Sequence, residues 1–308
     1  MIEVHDLWKS YGRAAVLRGI SFSVPTGTIT GFLGPNGAGK TTTMRTLTTF
    51  FPVERGRVLV AGHDVSAEPR AVCRKVGYLP ESWPIYPELR VEEFLRHRAT
   101  LRGLPPNTQR SKIDSVVLEC GLQDVRRKLL GALSRGYRQR LGLADTLLHD
   151  PEVLILDEPT AGLDPRQVVE VRKLIESFRG RRTVLLSSHV LGEVELICDR
   201  VIILHGGVVK AHEDRARWQE RLGSNRLRLV LESAPANAVE RIRQESGVLE
   251  VVGAAGSFDI RSDRDVRAAL SRLAAREGWT LLELTPLHVT LENLFLDLTA
   301  EPADRRAS

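Results

Sequence analysis

Up to about residue 210, the apolar positions fall in short, unalternating blocks separated by helical patterns. Thr28 to Leu33, Val153 to Leu156, Thr183 to Leu186 and Val201 to Leu204 are apolar or β-branched at nearly every position. A strand with one wet face alternates apolar with polar residues, whereas a strand covered on both faces does not. These blocks predict buried strands of a largely parallel sheet. Between them, Arg166 to Phe178 has helical spacing, with Asp164 placed to cap it and Pro165 in its first turn. Strands alternating with helices predict an α/β core. From about residue 81 to 150 the pattern is mainly helical, which predicts a helical subdomain set into that core.

After the charged stretch His212 to Arg221 the pattern changes. Arg226 to Glu232 alternates like a strand, and Asn237 to Glu245 reads as a helix. Val248 to Val252 and Phe258 to Arg261 read as strands separated by the turn-prone Gly253 to Ser257. Asp263 to Arg276 then predicts a helix, and Trp279 to Leu284 a last strand. The order β-α-β-β-α-β predicts a small α+β unit of ferredoxin-like type. Leu291 to Leu298 reads as a short amphipathic terminal helix. The expected division is 1–220 for the α/β domain and 221–308 for the accessory one.

Composition narrows the class. With 42% hydrophobic and 27% charged residues the chain is ordinary globular material. No run approaches the ~20 apolar residues that span a bilayer. Met1 to Asp6 lacks the basic-then-apolar layout of a secretory signal. Cys73, Cys120 and Cys198 lie far apart and read as buried, reduced thiols rather than a disulfide set or a metal site. The net charge of +5 is spread among interleaved acidic residues, which predicts a solvated surface and no nucleic-acid partner.

The strongest chemical signal is Gly34-Pro35-Asn36-Gly37-Ala38-Gly39-Lys40-Thr41, followed by Thr42, between a predicted strand and a helix. Glycine-rich backbone curls tightly enough to aim successive N–H groups at phosphate oxygens, and the following helix adds its positive end. Lys40 is placed for the β- and γ-phosphates of a nucleotide and Thr41 for Mg²⁺. The second signal is Leu154-Ile155-Leu156-Asp157-Glu158. A carboxylate at the end of a buried strand suits Mg²⁺, which assigns Asp157 to the metal. Glu158, one residue further, is the candidate general base for water attacking the γ-phosphate.

On these residues the chain resembles the ATP-binding subunits of ABC transporters, from residue 1 to about 220. Leu133-Ser134-Arg135-Gly136-Tyr137 stands where that family carries its signature Leu-Ser-Gly-Gly-Gln, with Arg for the first Gly and Tyr for Gln. Ala161-Gly162-Leu163-Asp164 resembles the family's D-loop, and Ser187-Ser188-His189 its switch histidine. The resemblance implies that Tyr11 stacks on adenine and that Ser134, Gly136 and Asp164 serve a nucleotide held by an opposite subunit. It also puts Glu81 in the place of the Q-loop glutamine, close enough to meet Mg²⁺.

With one such set per chain, the resemblance implies a dimer, either a homodimer or a pair with a related ATPase. The Ser-Arg-Gly-Tyr-Arg-Gln-Arg run, the C-terminal addition and the ending Val289 to Thr299 are similar to exporters whose permease is a separate integral-membrane protein. ATP and Mg²⁺ are then the expected ligands, and the cytoplasmic face of the membrane the expected location, reached through the permease. The alternatives are a soluble ABC ATPase or an ATP-switch regulator; an intact Glu158 argues against the second. Ser82-Trp83-Pro84-Ile85-Tyr86-Pro87 is unusually apolar for a loop, which marks it either as core or as a groove for a permease helix.

Overall fold

The chain begins with two long antiparallel strands, β1 (Ile2–Tyr11) and β2 (Ala14–Val24). β1 breaks its period of two between Val4 and Leu7, where Asp6 takes φ 46°; β2 breaks its own between Arg18 and Ile20, where Gly19 takes φ 72°, and again between Ala15 and Leu17. The slip by one position is why neither strand stands out as an alternating pattern. The computed structural model describes residues 1–222, 225–235, 237–254, 256–286, 291, 292 and 295. Most of the predicted helix at Leu291 to Leu298 lies outside the described residues.

β3 (Ile29–Leu33) follows, buried throughout, and leads to helix α1 (Lys40–Leu47). β4 (Arg55–Val60) pairs with β1, and β5 (His63–Asp64) with β4, giving an antiparallel sheet of order β2-β1-β4-β5. Helix α2 (Pro69–Lys75) enters β6 (Val76–Leu79). Three helices come next: α3 (Val91–Leu101), α4 (Pro106–Glu119) and α5 (Arg135–Leu147). β7 (Val153–Leu156), α6 (Pro165–Glu176), β8 (Thr183–Ser188), α7 (Leu191–Ile197), β9 (Arg200–His205) and β10 (Val208–Asp214) complete a six-stranded sheet of order β10-β9-β3-β8-β7-β6. It is parallel except for β10. The expectation of a largely parallel sheet holds for this sheet alone; the antiparallel one is a second layer. Ile2, Leu7, Ile20 and Phe22 share one apolar cluster with Phe32, Met44, Ile155 and Leu185, so the two sheets pack on a common core.

By compactness the chain divides into Met1–Arg215 and Ala216–Ser308. The charged stretch spans the division and is ordered, with β10 paired to β9 and helix α8 over Arg215–Leu222. In the second unit, β11 (Asn225–Leu231), α9 (Ala238–Arg243), β12 (Val248–Ala254), β13 (Ser257–Ser262), α10 (Arg267–Arg276) and β14 (Leu281–Pro286) form an antiparallel sheet of order β12-β13-β11-β14. That is the ferredoxin-like order. Leu229, Phe258, Ile260, Ile242 and Leu270 make its own core. The last strand starts later than its sequence predicts. Gly278 at φ 69° ends α10, and the Trp279 N–H bonds back to the Ala274 carbonyl, so Trp279 belongs to the helix cap. Among the described residues no helix is long and apolar enough to cross a membrane.

Of the three thiols, Cys120 and Cys198 are buried as expected, but Cys73 is exposed. It lies on α2, a one-sided helix in which only Val72 is buried.

A polar network ties the helices to the sheet. Asp145 on α5 is buried and accepts two hydrogen bonds from Arg98 on α3, at 3.0 and 2.9 Å, and longer ones from Arg102. His149 contacts Arg102 through Nδ1 and the Val76 carbonyl through Nε2. Burial, and secondarily the Arg102 charge, lowers its pKa from 6.5 to about 4. Between those values the unfolded chain binds a proton that the folded chain refuses. The contribution of neutral His149 is therefore whole above pH 6.5 and is lost as pH falls towards about 4. Urea unfolding should register a loss of up to about 3 kcal/mol across that window. His149→Gln should flatten that dependence; an unchanged slope would show that other groups govern it.

Candidate active site

Every loop that follows β3, β6, β7 and β8 opens on the same edge of the six-stranded sheet. Leu33 pairs with Ser188, Leu156 with Leu186, and Leu79 with Leu156. In an open parallel sheet this carboxyl edge is where ligands bind. A cleft of about 740 Å³ lies there, lined by Tyr11, Asn36, Gly37, Gly39, Lys40, Thr41, Thr42, Glu81, Asp157, Glu158 and His189.

The glycine-rich loop is shaped by two constraints. Gly39 takes φ 108° as the N-cap of α1, a conformation closed to other residues. A Cβ on Gly34 would overlap the Leu204 carbonyl oxygen, so backbone passes where no side chain fits. The Ala38 N–H bonds to the Pro35 carbonyl at 3.1 Å and closes the turn. Lys40 is buried, and its ammonium donates to the Gly34 carbonyl at 2.7 Å and the Pro35 carbonyl at 3.3 Å. Burial lowers its pKa, while Glu158, Asp157 and Glu81 pull it back up. The loop thus holds a desolvated cation facing three carboxylates.

The acidic side is built by β7 and β8. Asp157 is buried; its N–H bonds to the Leu79 carbonyl at 2.8 Å, and its Oδ1 accepts from Ser187 Oγ at 2.6 Å. Its Oδ2 is buried and has no hydrogen-bond partner among the described residues. A carboxylate oxygen left so is costly without a cation or a donor. Glu158 follows in left-handed backbone, φ 51°, which is uncommon for a non-glycine residue. Ser187 steadies it by accepting the Glu158 N–H at 2.8 Å. Oε2 of Glu158 lies 2.8 Å from Nδ1 of the exposed His189.

Tyr11 is 47% exposed and braced edge-on by Phe51, with 5.9 Å between ring centroids. It is part of the cleft lining. Glu81 is exposed in the cleft lining. Ser134, Gly136 and Asp164 are not among the lining residues of this cleft. Ser134 caps α5, its Oγ accepting the Tyr137 N–H at 3.4 Å, and Asp164 caps α6, accepting the Gln167 N–H at 3.0 Å. A Cβ on Gly136 would lie 2.6 Å from Gln167 Cδ, so the α5 start is seated against the first turn of α6.

Val16 escaped the sequence, and Ala161 and Ser187 stood in recognised runs without the roles the structure gives them. Val16 and Ala161 form apolar parts of the wall, and Ser187 is the hinge between both acids. A serine inside an apolar strand carries a weak signal, because its partners lie 29 and 30 residues away.

A family model for the ABC transporter matches residues 17–161, and one for an AAA domain matches 129–195. The chain is 34% identical over 302 residues to the bacitracin transport ATP-binding protein BcrA of Bacillus licheniformis, covering 97% of each. It is 34% identical over 320 residues to the daunorubicin/doxorubicin resistance ATP-binding protein DrrA of Streptomyces peucetius, covering 100% of this chain and 94% of that one. A solved ATP-binding subunit of an ABC transporter superposes with a TM-score of 0.65 at 30% identity, over 72% of this chain and 93% of the other.

Ser187→Ala would leave the Glu158 N–H and Asp157 Oδ1 without their shared partner. Chemical denaturation should show a loss of about 1–3 kcal/mol. An unaltered midpoint would mean that water replaces the hydroxyl and that Ser187 holds nothing.

Proposed function

The chain belongs to the ABC transporter ATP-binding family and is an ATPase subunit of that kind, and from this premise we propose how its own residues do the work. The observation that carries the proposal is the convergence of Lys40, Asp157, Glu158 and His189 on one cleft, with a buried Asp157 oxygen lacking a partner. The triphosphate of ATP lies along the Gly34 to Gly39 loop, where backbone N–H groups and the α1 dipole meet it. Lys40 exchanges its loop carbonyls for the β- and γ-phosphate oxygens. Tyr11 offers a ring face to the adenine.

Thr41, Asp157 and Glu81 are the residues assigned to Mg²⁺. Among the described residues no group of three or more His, Cys, Asp or Glu stands ready to hold a metal. The buried Asp157 Oδ2, without a hydrogen-bond partner among the described residues, suits an ion held by a few protein oxygens together with phosphates. When bound, it would neutralise charge on the β- and γ-phosphates. Glu158 orients the attacking water and takes its proton, and His189, already on Glu158 Oε2, meets the γ-phosphate. The left-handed backbone at Glu158 aims the carboxylate into the cleft instead of along the strand.

Ser134, Gly136 and Asp164 lie outside the lining of their own chain's cleft, which supports their use by a second copy. We assign the nucleotide chemistry to residues 1–220, with the helical subdomain at about 81–150, and an accessory role to 221–308. The active form is a dimer closed by ATP that drives export through a separate integral-membrane permease from the cytoplasmic face. No nucleic acid takes part.

The permease contact fits a second cavity, of about 350 Å³, whose lining includes Phe50, Trp83, Tyr86, Phe94 and Arg98. Trp83 is half-buried on Phe94, with centroids 5.6 Å apart, so it belongs to the groove floor. Tyr86 is 41% exposed and Phe50 69%, leaving two aromatic edges for a cytoplasmic helix of the permease. Pro80 and Ser82, which flank Glu81, also line this groove, so an occupant presses on the segment that enters the nucleotide cleft.

Lys40→Ala should weaken ATP binding. Glu158→Gln should keep binding, slow hydrolysis by about 10²–10⁴-fold, and accumulate an ATP-bound dimer visible by light scattering. Normal turnover in Glu158→Gln would remove it from the role of base. For the groove, Tyr86→Ala and Phe50→Ala should each lower co-purification with the permease while basal ATPase activity survives. Interface aromatics of this kind carry about 2 kcal/mol or more. Undiminished permease binding in both variants would move the docking surface elsewhere.

A further inference from the structure

Arg135 replaces the small first residue of the signature Gly-Gly pair, at the first position of α5. A cation there opposes the helix dipole and lowers local stability. Nothing nearby compensates it: the side chain is exposed and has no carboxylate partner among the described residues. Its guanidinium instead lies over Gly162, where a Cβ would overlap Cζ and both terminal nitrogens. Gly162 accepts this because it carries no Cβ, and its left-handed backbone at φ 66° favours glycine in its own right.

Gly162 leads directly back to the chemistry. The Ala161 N–H bonds to the Glu158 carbonyl at 3.1 Å, and Ala161 itself lines the nucleotide cleft. The Arg135 contact therefore bears on the turn that sets the strained Glu158. Arg135 is also the sequence neighbour of Ser134 and Gly136, assigned above to the triphosphate of a second copy.

We propose that Arg135 is a positioning residue that couples the two nucleotide sites. It lies on the Ala161-Gly162 turn, and through it bears on Glu158, while the signature is free. When the triphosphate of the second copy arrives at Ser134 and Gly136, its negative charge fixes the guanidinium between the phosphates and the turn, and Glu158 is then held in place for turnover. One site thereby reports its occupancy to the base of the other. This rests on the dimeric reading above.

The test compares full-length Arg135→Ala and Arg135→Lys with the parent, reading the ATP dependence of turnover and the thermal midpoint. Arg135→Ala should lower kcat about tenfold or more, as misplacement of a catalytic group does. The ATP concentration at half-saturation should move less than twofold, and any sigmoid ATP dependence should become hyperbolic. Arg135→Lys should recover a substantial part of kcat. The thermal midpoint of Arg135→Ala should stay level or rise, since an unfavourable cation has left the helix start. A merely structural arginine would give the opposite, a lower midpoint with kcat following it, and that result would overturn the proposal. So would a kcat within twofold of the parent with its ATP dependence unaltered. The dimeric reading is judged separately by adding Arg135→Ala to Glu158→Gln. If Glu158→Gln alone fails to dimerise with ATP, that reading falls; if both dimerise and Arg135→Ala turns over normally, only the coupling role falls.

Discussion

The fixed register of four parallel strands is the constraint on which the cleft depends. β6, β7, β8 and β3 end beside one another, with Leu79 next to Leu156, Leu156 next to Leu186, and Leu33 next to Ser188. β3 and β8 run two residues past the ends of β6 and β7, and all four release their loops on the same edge, which brings Glu81, Asp157, His189 and the Lys40 loop within one cavity. β7 and β8 are buried at every position, so a shift of either would expose apolar surface at once. The register is thus held by burial along the strands and used by chemistry at their ends.

That arrangement concentrates charge where water is scarce. Lys40 is desolvated and faces three carboxylates, with Asp157 keeping one buried oxygen unpartnered and Glu158 in an uncommon backbone conformation. Left to local preference, none of these would persist. They persist because the surrounding strands over-determine them and because the Ser187 hydroxyl serves both acids at once. The helical layer is anchored by comparable means, with Asp145 gathering Arg98 and Arg102, and His149 joining that group to the Val76 carbonyl at the start of β6. β6 in turn leads to Glu81. Tyr78 and Leu79 of β6 line the aromatic groove beside Tyr86, and the loop that leaves the same strand carries Glu81 into the nucleotide cleft.

Much of this was legible in the chain because its signals are local. Gly34 to Thr42 and Leu154 to Glu158 declare a phosphate loop and an acidic strand end through neighbouring residues alone. The cap of α6 by Asp164 and the β-α-β-β-α-β order of the second unit were readable for the same reason. What stayed hidden depends on partners distant in sequence. The β1–β2 pair was masked by its bulges at Asp6 and Gly19, each of which moves the apolar set to the other register. The exposure of Cys73 turned on which face α2 covers, a choice its own seven residues do not contain.

The sequence by itself determined the ATP-binding chemistry, since a phosphate loop and an acidic strand end require particular side chains at short, countable spacings. Tertiary structure alone decided which residues act on one another. Only the fold brings Ser187 between Asp157 and Glu158, sets Trp83 into the groove floor while leaving Tyr86 open, and lays Arg135 over Gly162. The physical reason is that a residue's type specifies what it can donate, accept or bury. Packing and strand register specify what it meets, and both are properties of the whole folded unit.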